Sequence, residues 1–271
     1  MVSTHLISQT SQPRPSLTRH RLHNEILDFY DFVAPQSYEH RARDQLVQRI
    51  KSALSSQKFF PHDKGLLLSF GSYPAGLYLP TADMDLVYTS ERHYNGGPPL
   101  LDATIPNDRP SIKKTLYKCS RRLQQVGIAN NPVVIPSAKV PIVKFKDRVT
   151  GLDVDISFEN LSGVQAQATF QKWKEQFPDM VYMVALVKQL LVMRAMNEVH
   201  SGGLGGFTII CLIISFLQHS KKADNLGDCF IAFLKYYGKD FDLSRQRIQM
   251  SPPAVVKKVW RISIVLHACS C

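Results

Sequence analysis

Helical and extended periodicities alternate along the first half of the chain. Apolar residues recur at helical spacing over 25–35, where Pro35 ends the pattern, and again over 37–54. The run GLLLSFGSY (65–73) predicts a buried strand that ends in a turn, and DLVYTS (85–90) predicts the next strand. Gly, Pro and Asn residues predict a loop over 91–110, and a basic helix is predicted over 111–127.

The second half changes from strands to helices. Three short strands are predicted over 132–137, 140–147 and 152–158, and helical patterns come next at about 164–176, 180–196, 206–219 and 226–241. A sheet succeeded by a set of helices predicts two lobes with a cleft between them. The apolar run FTIICLIISFL (207–217) is too short to cross a bilayer, so it predicts a buried helix and no membrane association.

The charge balance adds information about partners. Lys and Arg number 33 against 22 Asp and Glu, a formal net charge of +11 at pH 7. A surplus of this size favours an anionic partner, nucleic acid first, although solubility alone is the other interpretation. The five cysteines are scattered and form no CxxC pair, which argues against a disulfide framework or a zinc finger and favours a reducing compartment.

Four aspartates form two pairs with the same spacing. Asp83 and Asp85 lie at the start of the second strand, and Asp153 and Asp155 lie on the last strand. Positions i and i+2 of a strand share a face, where two carboxylates repel unless a cation lies between them. Three such carboxylates can hold two hard cations, and a Gly-Ser turn lets backbone N–H groups approach a triphosphate. The pattern predicts nucleotidyl or phosphoryl transfer; an acidic surface strand beside an ordinary hairpin is the alternative.

These motifs resemble a known family. GSYPAGLYLPTADMDLVY resembles the nucleotidyltransferase signature of the polymerase-beta-like superfamily, and more narrowly the nuclear terminal poly(A) polymerases, also called DNA polymerase sigma-like or topoisomerase-related-function proteins. The resemblance extends from about residue 25 to about residue 242, and NEVHSGGLGGF is its most discriminating segment. It implies an α+β fold with a polymerase-beta-like nucleotidyltransferase lobe, a mixed sheet with flanking helices, plus an incomplete helical central lobe.

The resemblance also implies a domain organisation. We expect a disordered segment over 1–22, which is no secretory signal, and a nucleotidyltransferase domain over 35–165. A helical central domain, associated with poly(A) polymerases, would comprise 23–34 and 166–250. The last residues, 251–271, have no acidic residue and do not resemble the corresponding segment of the family, so we interpret them as a divergent tail of a truncated chain.

Carried over by motif, the resemblance assigns roles to eight residues. Asp83 and Asp85 would bind both metals, Asp155 would be the third catalytic carboxylate, and Asp153 is its fallback. Gly71, Ser72 and Lys188 would meet the triphosphate, and Gly206 and Phe207 match the position where the family stacks the incoming base. On sequence alone, Phe207 is better explained as helix core. Some relatives carry a second lysine one helical turn beyond the first, where this chain has Val192.

The function implied is template-independent addition of AMP from ATP to the 3′ ends of RNA, with two Mg²⁺ or Mn²⁺ ions. Such enzymes work in the nucleus or nucleolus with a zinc-knuckle RNA-binding protein and an RNA helicase, marking transcripts for exosome decay. The basic helix 111–127 would hold RNA phosphates or be an ordinary solvated helix. Three alternatives stay open: the same chemistry with UTP, a catalytically inactive RNA- or partner-binding module, and a distant relative that acts on a small molecule.

Overall fold

The computed structural model describes residues 15–55, 59–60 and 62–258. The helices are α1 (Pro15–Val33), α2 (Ser37–Ser55), α3 (Ser72–Ala75), α4 (Glu91–Tyr94), α5 (Arg109–Gln125), α6 (Ser162–Gln176), α7 (Met180–Met193), α8 (Gly206–His219) and α9 (Leu226–Lys235). The strands are β1 (Gly65–Phe70), β2 (Met84–Ser90), β3 (Ala129–Ile135), β4 (Ile142–Asp147), β5 (Asp153–Phe158), β6 (Gln246–Met250) and β7 (Pro253–Lys257). Short 3₁₀ turns occupy Pro106–Asp108 and Val199–Ser201, and a π turn occupies Tyr236–Asp240.

A five-stranded mixed sheet organises the larger part of the protein. Its strand order is β1-β2-β5-β4-β3, in which β2 and β5 are parallel and the other pairs are antiparallel. Met84, Leu86 and Tyr88 of β2 point to one face and share a buried core with Leu46 of α2 and Leu116 of α5. Because side chains alternate along a strand, Asp85 points to the opposite face.

A buried carboxylate holds β2 beside β5. Glu159, directly after β5, accepts hydrogen bonds from Thr89 Oγ1 and Ser90 Oγ, both at 3.1 Å, and from the backbone N–H of Ser90. It also accepts one from the N–H of Leu100 at 2.7 Å. Since both of its oxygens have partners, the buried charge is compensated, and the contact fixes the end of β2 against the end of β5.

The chain divides into two compact units at positions that the sequence did not predict. One unit comprises residues 30–214, and the other comprises 15–29 and 215–258 of the described chain. Helices α6 and α7, which we assigned to a separate central domain, lie in the larger unit. The cause is local packing: α6 lies directly against β1, where a Cβ on Gly163 would lie 2.1 Å from the Phe70 ring.

Most predicted elements are confirmed, with differences at the ends. Helix α1 begins at Pro15, inside the segment expected to be disordered, and proline suits the first turn of a helix; residues 1–14 lie outside the described residues. β1 ends at Phe70 because Gly71 adopts a φ of 75° and Ser72 begins α3. The hairpin β6–β7 was not predicted, and its second strand lies within the range interpreted as a divergent tail.

The apolar run at 207–217 lies within α8 and buries Ile209, Ile210, Ile213 and Ile214, as predicted. None of the helices in the described ranges combines the length and apolarity that crossing a membrane requires.

Candidate active site

Three aspartates converge on the face of the sheet opposite α2 and α5. Asp83 directly precedes β2, Asp85 is its second residue, and Asp155 lies on β5. The parallel register pairs Asp85 with Asp155, so their side chains lie side by side on one face. A carboxylate oxygen from each of the three lies within 4.8 Å of the others. The structure therefore brings together the three residues that the sequence singled out.

Asp153, the fallback for the third carboxylate, lies elsewhere. It pairs in the β4–β5 register with Lys146, whose Nζ lies 2.8 Å from Asp153 Oδ2. That side chain is about half exposed and is not part of the carboxylate cluster. Asp153 and Asp155 share one face of β5, but the β2–β5 register sets Asp155 beside Asp85. The structure therefore favours Asp155 as the third carboxylate of the cluster.

The loop before β2 is fixed by a buried arginine. Arg43 of α2 is 1% exposed and donates to the carbonyls of Pro80 and Ala82, at 3.2 and 3.1 Å. Its guanidinium carbon lies 4.4 Å from the centre of the Tyr78 ring, within the range of a cation–π contact. Because Ala82 directly precedes Asp83, these contacts fix the position of Asp83 at the start of β2.

Gly71 lies against one of the metal-binding candidates. Its φ of 75° and ψ of −144° are available essentially to glycine alone. A Cβ at this position would also lie 2.5 Å from Asp85 Oδ2. The Gly-Ser turn therefore allows backbone and carboxylate to approach closely, and Ser72 is the first residue of α3.

Lys188 approaches the site from α7. Its Nζ donates to the carbonyl of Leu77 at 2.8 Å, and its charge interacts with Asp83 and Asp85. A Cβ on Gly206 would lie 3.5 Å from Lys188 Cε, which is ordinary contact, so Gly206 begins α8 beside this lysine. The predicted triphosphate residues Gly71 and Lys188 thus adjoin the carboxylates, and Gly206 adjoins Lys188.

Phe207 is exposed, and the interpretation of this residue as helix core is wrong. It lies in the first turn of α8 with 59% of its surface accessible. Its ring centre lies 5.9 Å from that of Phe170, which is buried. An exposed ring that rests on a buried one can stack on a nucleobase. The predicted base-stacking role is compatible with this placement and stays a prediction.

The electrostatics of the carboxylate cluster reflect burial first, and then the charges of the neighbouring carboxylates and lysines. Burial, reinforced by Asp83 and Asp155, raises the pKa of Asp85 to about 7. Burial also raises the pKa of Asp155, against the opposing influence of Lys144. Burial lowers the pKa of Lys188 to about 8, although the two nearby carboxylates favour its charged form. Three acidic groups this close together repel one another, and a bound cation would relieve that repulsion.

The donor set fits divalent cations. All three groups are carboxylates, the ligand type that Mg²⁺ and Mn²⁺ prefer. Asp155 Oδ1 is buried and accepts no hydrogen bond from any residue that the structure describes. Lys144 Nζ lies 3.3 Å from this oxygen but donates to the other one, Oδ2, at 3.4 Å. The buried oxygen is thus free to ligate a cation.

Sequence reasoning missed several residues around the site. Lys144 lies opposite Asp155 in the β4–β5 hairpin, and counting the register across the short connection between the predicted strands 140–147 and 152–158 would have found it. Gln167 and Lys174 of α6 donate to the carbonyls of Gly71 and Ala75, at 3.1 and 2.9 Å. No local pattern marks these two residues, because their partners lie far away in the sequence.

The basic helix lies away from the site. Ile112 and Leu116 of α5 enter the same core as Met84, so α5 covers the face of the sheet opposite the carboxylates. Its exposed Lys113 and Lys114 therefore do not line the candidate active site. An RNA-binding role for α5 stays a prediction and would concern RNA remote from the reacting end.

Comparison with known proteins identifies the family. Residues 22–175, more than half of the chain, match the model described as "Poly(A) RNA polymerase, mitochondrial-like, central palm domain". The chain belongs to this family of poly(A) RNA polymerases. Residues 225–262 match "Cid1 family poly A polymerase". That match continues past residue 250, into the range interpreted as a divergent tail, and the interpretation of 251–271 stays a prediction.

Two curated relatives and one solved structure illustrate the similarity. "Poly(A) RNA polymerase cid14" of Schizosaccharomyces pombe is 36% identical over 228 residues, which are 81% of this chain and 31% of that protein. The poly(A) RNA polymerase protein Trf4-2 of Drosophila melanogaster, named as inactive, is 32% identical over 238 residues, 84% of this chain and 54% of that protein. A structure of "the polymerase core of TRAMP, a RNA surveillance complex" is 32% identical with a TM-score of 0.73, covering 89% of this chain and 72% of that one.

These similarities establish the fold and the family. The fold is the α+β, polymerase-beta-like nucleotidyltransferase fold that was predicted. The chain spans about a third of the length of cid14. The relative named as inactive is 32% identical to this chain, and cid14 is 36% identical. Percentage identity therefore does not separate active from inactive relatives, and the carboxylates of this chain are the relevant observation.

Proposed function

We propose that the chain carries the catalytic site of a template-independent RNA 3′-terminal adenylyltransferase, which transfers AMP from ATP to RNA. The observation that carries the proposal is the convergence of Asp83, Asp85 and Asp155 within 4.8 Å beside the glycine turn at Gly71. Relatives named as poly(A) RNA polymerases support adenylate as the unit transferred.

Each residue of the site has a role in this reaction. When bound by the three aspartates, two Mg²⁺ or Mn²⁺ ions would supply Lewis-acid activation of the RNA 3′-hydroxyl and neutralise charge on the triphosphate. Lys144 holds Asp155 in place through its ion pair. Lys188 adds a positive charge for the phosphates, Ser72 offers a hydroxyl and a backbone N–H, and Phe207 offers an exposed ring for the adenine.

In the reaction, the 3′ oxygen of RNA forms a bond to the α-phosphorus of ATP. The bond from that phosphorus to the pyrophosphate breaks, and the hydroxyl proton is released. Positioning of the two reactants supplies a large part of the acceleration in such transfers. The chain contributes by holding the carboxylates on one face of the sheet, with Gly71 and Lys188 beside them.

The cellular role is a further part of the proposal. Similarity to the polymerase core of TRAMP, a complex of RNA surveillance, supports a role in RNA surveillance and decay. We place the protein in the nucleus or nucleolus, with a zinc-knuckle RNA-binding protein and an RNA helicase as partners. The positive net charge of +11 is compatible with RNA as the substrate.

A primer-extension assay tests the activity. The purified chain is offered a labelled RNA primer and each nucleoside triphosphate in turn, with Mg²⁺ or Mn²⁺. We expect extension with ATP, reduced at least about 100-fold by Asp155→Asn, because a metal ligand is lost. The matched control is Asp153→Asn on the same strand, which should stay within a few-fold of the parent protein.

Three outcomes would contradict the proposal. Preferred addition of UMP would indicate a uridylyltransferase. Absence of extension with every nucleotide and both metals, with RNA binding intact, would indicate an inactive binding module. Equal losses in Asp153→Asn and Asp155→Asn would refute the assignment of the third carboxylate.

A further inference from the structure

Side chains of two helices hold the backbone of the loop that contains the Gly-Ser turn. We call residues 71–77 the Gly-Ser loop. Gln167 Nε2 donates to the carbonyl of Gly71 at 3.1 Å, Lys174 Nζ donates to that of Ala75 at 2.9 Å, and Lys188 Nζ donates to that of Leu77 at 2.8 Å. Three long side chains from α6 and α7 thus contact carbonyls along the loop, a pattern that ordinary core packing does not require.

Gln167 acts on a peptide group of the loop that adjoins the carboxylates. Gly71 carries this peptide, and a Cβ on Gly71 would lie 2.5 Å from Asp85 Oδ2. In a planar trans peptide, the carbonyl and the next N–H point in opposite directions. The bond from Gln167 to the Gly71 carbonyl therefore directs the N–H of Ser72 away from Gln167. Among the described residues, no acceptor for the Ser72 N–H is present.

Without the hydrogen bond from Gln167, little would fix the orientation of the Gly71–Ser72 peptide. Glycine has access to backbone conformations on both sides of φ = 0, so the orientation of the Gly71–Ser72 peptide is weakly determined by the chain itself. A hydrogen bond that exists in one orientation alone selects that orientation before any ligand binds. Preorganisation of this kind lowers the entropic cost of binding.

We propose that Gln167 is a positioning residue for the triphosphate of the nucleotide substrate, because it fixes the Gly71–Ser72 peptide with its N–H available to a phosphate oxygen. The inference rests on the proposed function, since it assumes a nucleoside triphosphate as the ligand of this site. Gln167 itself does not contact the substrate, and it acts through the loop.

The test compares matched glutamine variants of the same helix. Gln167→Met keeps the length of the side chain and removes the donor. Gln171→Met is the control, since Gln171 lies one helical turn later, is exposed, and donates to Glu175. Gln167→Lys restores a donor of similar reach. The readouts are KM and kcat for ATP, the Kd of a non-hydrolysable ATP analogue at equilibrium, the Kd of the RNA primer, and the melting temperature.

We expect Gln167→Met to raise KM for ATP and Kd of the analogue about 3- to 10-fold, the size of one ordinary hydrogen bond. kcat and RNA affinity should change less than about 2-fold, and Gln167→Lys should recover most of the loss. Unchanged affinity for the analogue in Gln167→Met would overturn the inference. So would a variant whose RNA affinity and melting temperature fall together with its ATP affinity, or a loss that Gln167→Lys does not recover.

The equilibrium measurement separates this inference from the proposed function. If the parent protein binds the ATP analogue but does not extend RNA, the proposed function fails, and the comparison of Gln167→Met with Gln171→Met still decides the inference. If the parent protein binds no nucleoside triphosphate, both proposals are refuted.

Discussion

Substitution of Gly71 by alanine provides a sharp test of how the glycine turn and the carboxylate cluster depend on each other. The change introduces two separate effects. Alanine at a φ of 75° and ψ of −144° is strained by about 1–3 kcal/mol, which lowers the free energy of unfolding. The new methyl group also lies 2.5 Å from Asp85 Oδ2, and this carboxylate is a candidate metal ligand.

This distance sets the size of the second effect, the loss of activity. Carbon and oxygen atoms approach to about 3.3 Å in ordinary contacts, so the carboxylate or the loop has to move by roughly 0.8 Å. A displacement of about 1 Å in a catalytic geometry costs roughly 100-fold in rate. We therefore expect Gly71→Ala to fold with reduced stability and to lose about 100-fold in primer extension.

Gly127→Ala is the matched control. Gly127 also has a positive φ, 74°, and no heavy atom of the described chain lies within 4 Å of the position a Cβ would take. It should lose about 1–2 kcal/mol of stability and keep its activity. Urea unfolding and primer extension with saturating ATP, at several metal concentrations, measure both quantities for each variant. Activity of Gly71→Ala within a few-fold of Gly127→Ala would refute the reasoning.

Two further predictions concern residues outside the cluster of Asp83, Asp85 and Asp155. Phe207→Ala should change the free energy of unfolding by less than about 1 kcal/mol, because the ring is 59% exposed, and should raise KM for ATP roughly 10-fold through lost stacking; reduced stability with unchanged KM would contradict it. Asp147 is buried, which by itself would raise its pKa, but Thr150 and Arg49 hold that pKa below its ordinary value. Its stabilisation is therefore present above the unfolded-state pKa of about 3.9 and is lost as pH falls through the lower folded-state value. Asp147→Asn should cost about 1–3 kcal/mol in urea unfolding at pH 7, and a difference that does not shrink below pH 4 would disprove the assignment.

The parts of the site that could be predicted are those with a short-range pattern. Alternation along a strand places Asp83 and Asp85 on one face, and the spacing alone indicates this. The adjacency of β2 and β5 has no local signature, since parallel neighbours are joined through a long connection. The choice between Asp153 and Asp155 depends on that pairing, because its register sets Asp155 directly beside Asp85. Only the family resemblance favoured Asp155 in advance.

Other features could not be predicted from the sequence, for different physical reasons. The exposure of Phe207 depends on where α8 begins, since a residue in the first turn has no preceding turn to cover it. Hydrogen bonds such as that from Gln167 to Gly71 connect residues with no sequence relationship. The short strands β6 and β7 contain few alternating positions, so their hairpin gave a weak pattern.

The strand order has a consequence for how the site comes into existence. β5 is the last strand of the five to be synthesised, yet it lies in the middle of the sheet between β2 and β4. Until it inserts, the chain can form two separate antiparallel pairs, one of which carries Asp83 and Asp85 without their third partner. A nascent chain or proteolytic fragment that ends before β5 therefore has two of the three carboxylates and no complete sheet. The third carboxylate therefore joins the other two only when β5 closes the five-stranded sheet, which is a late, long-range event.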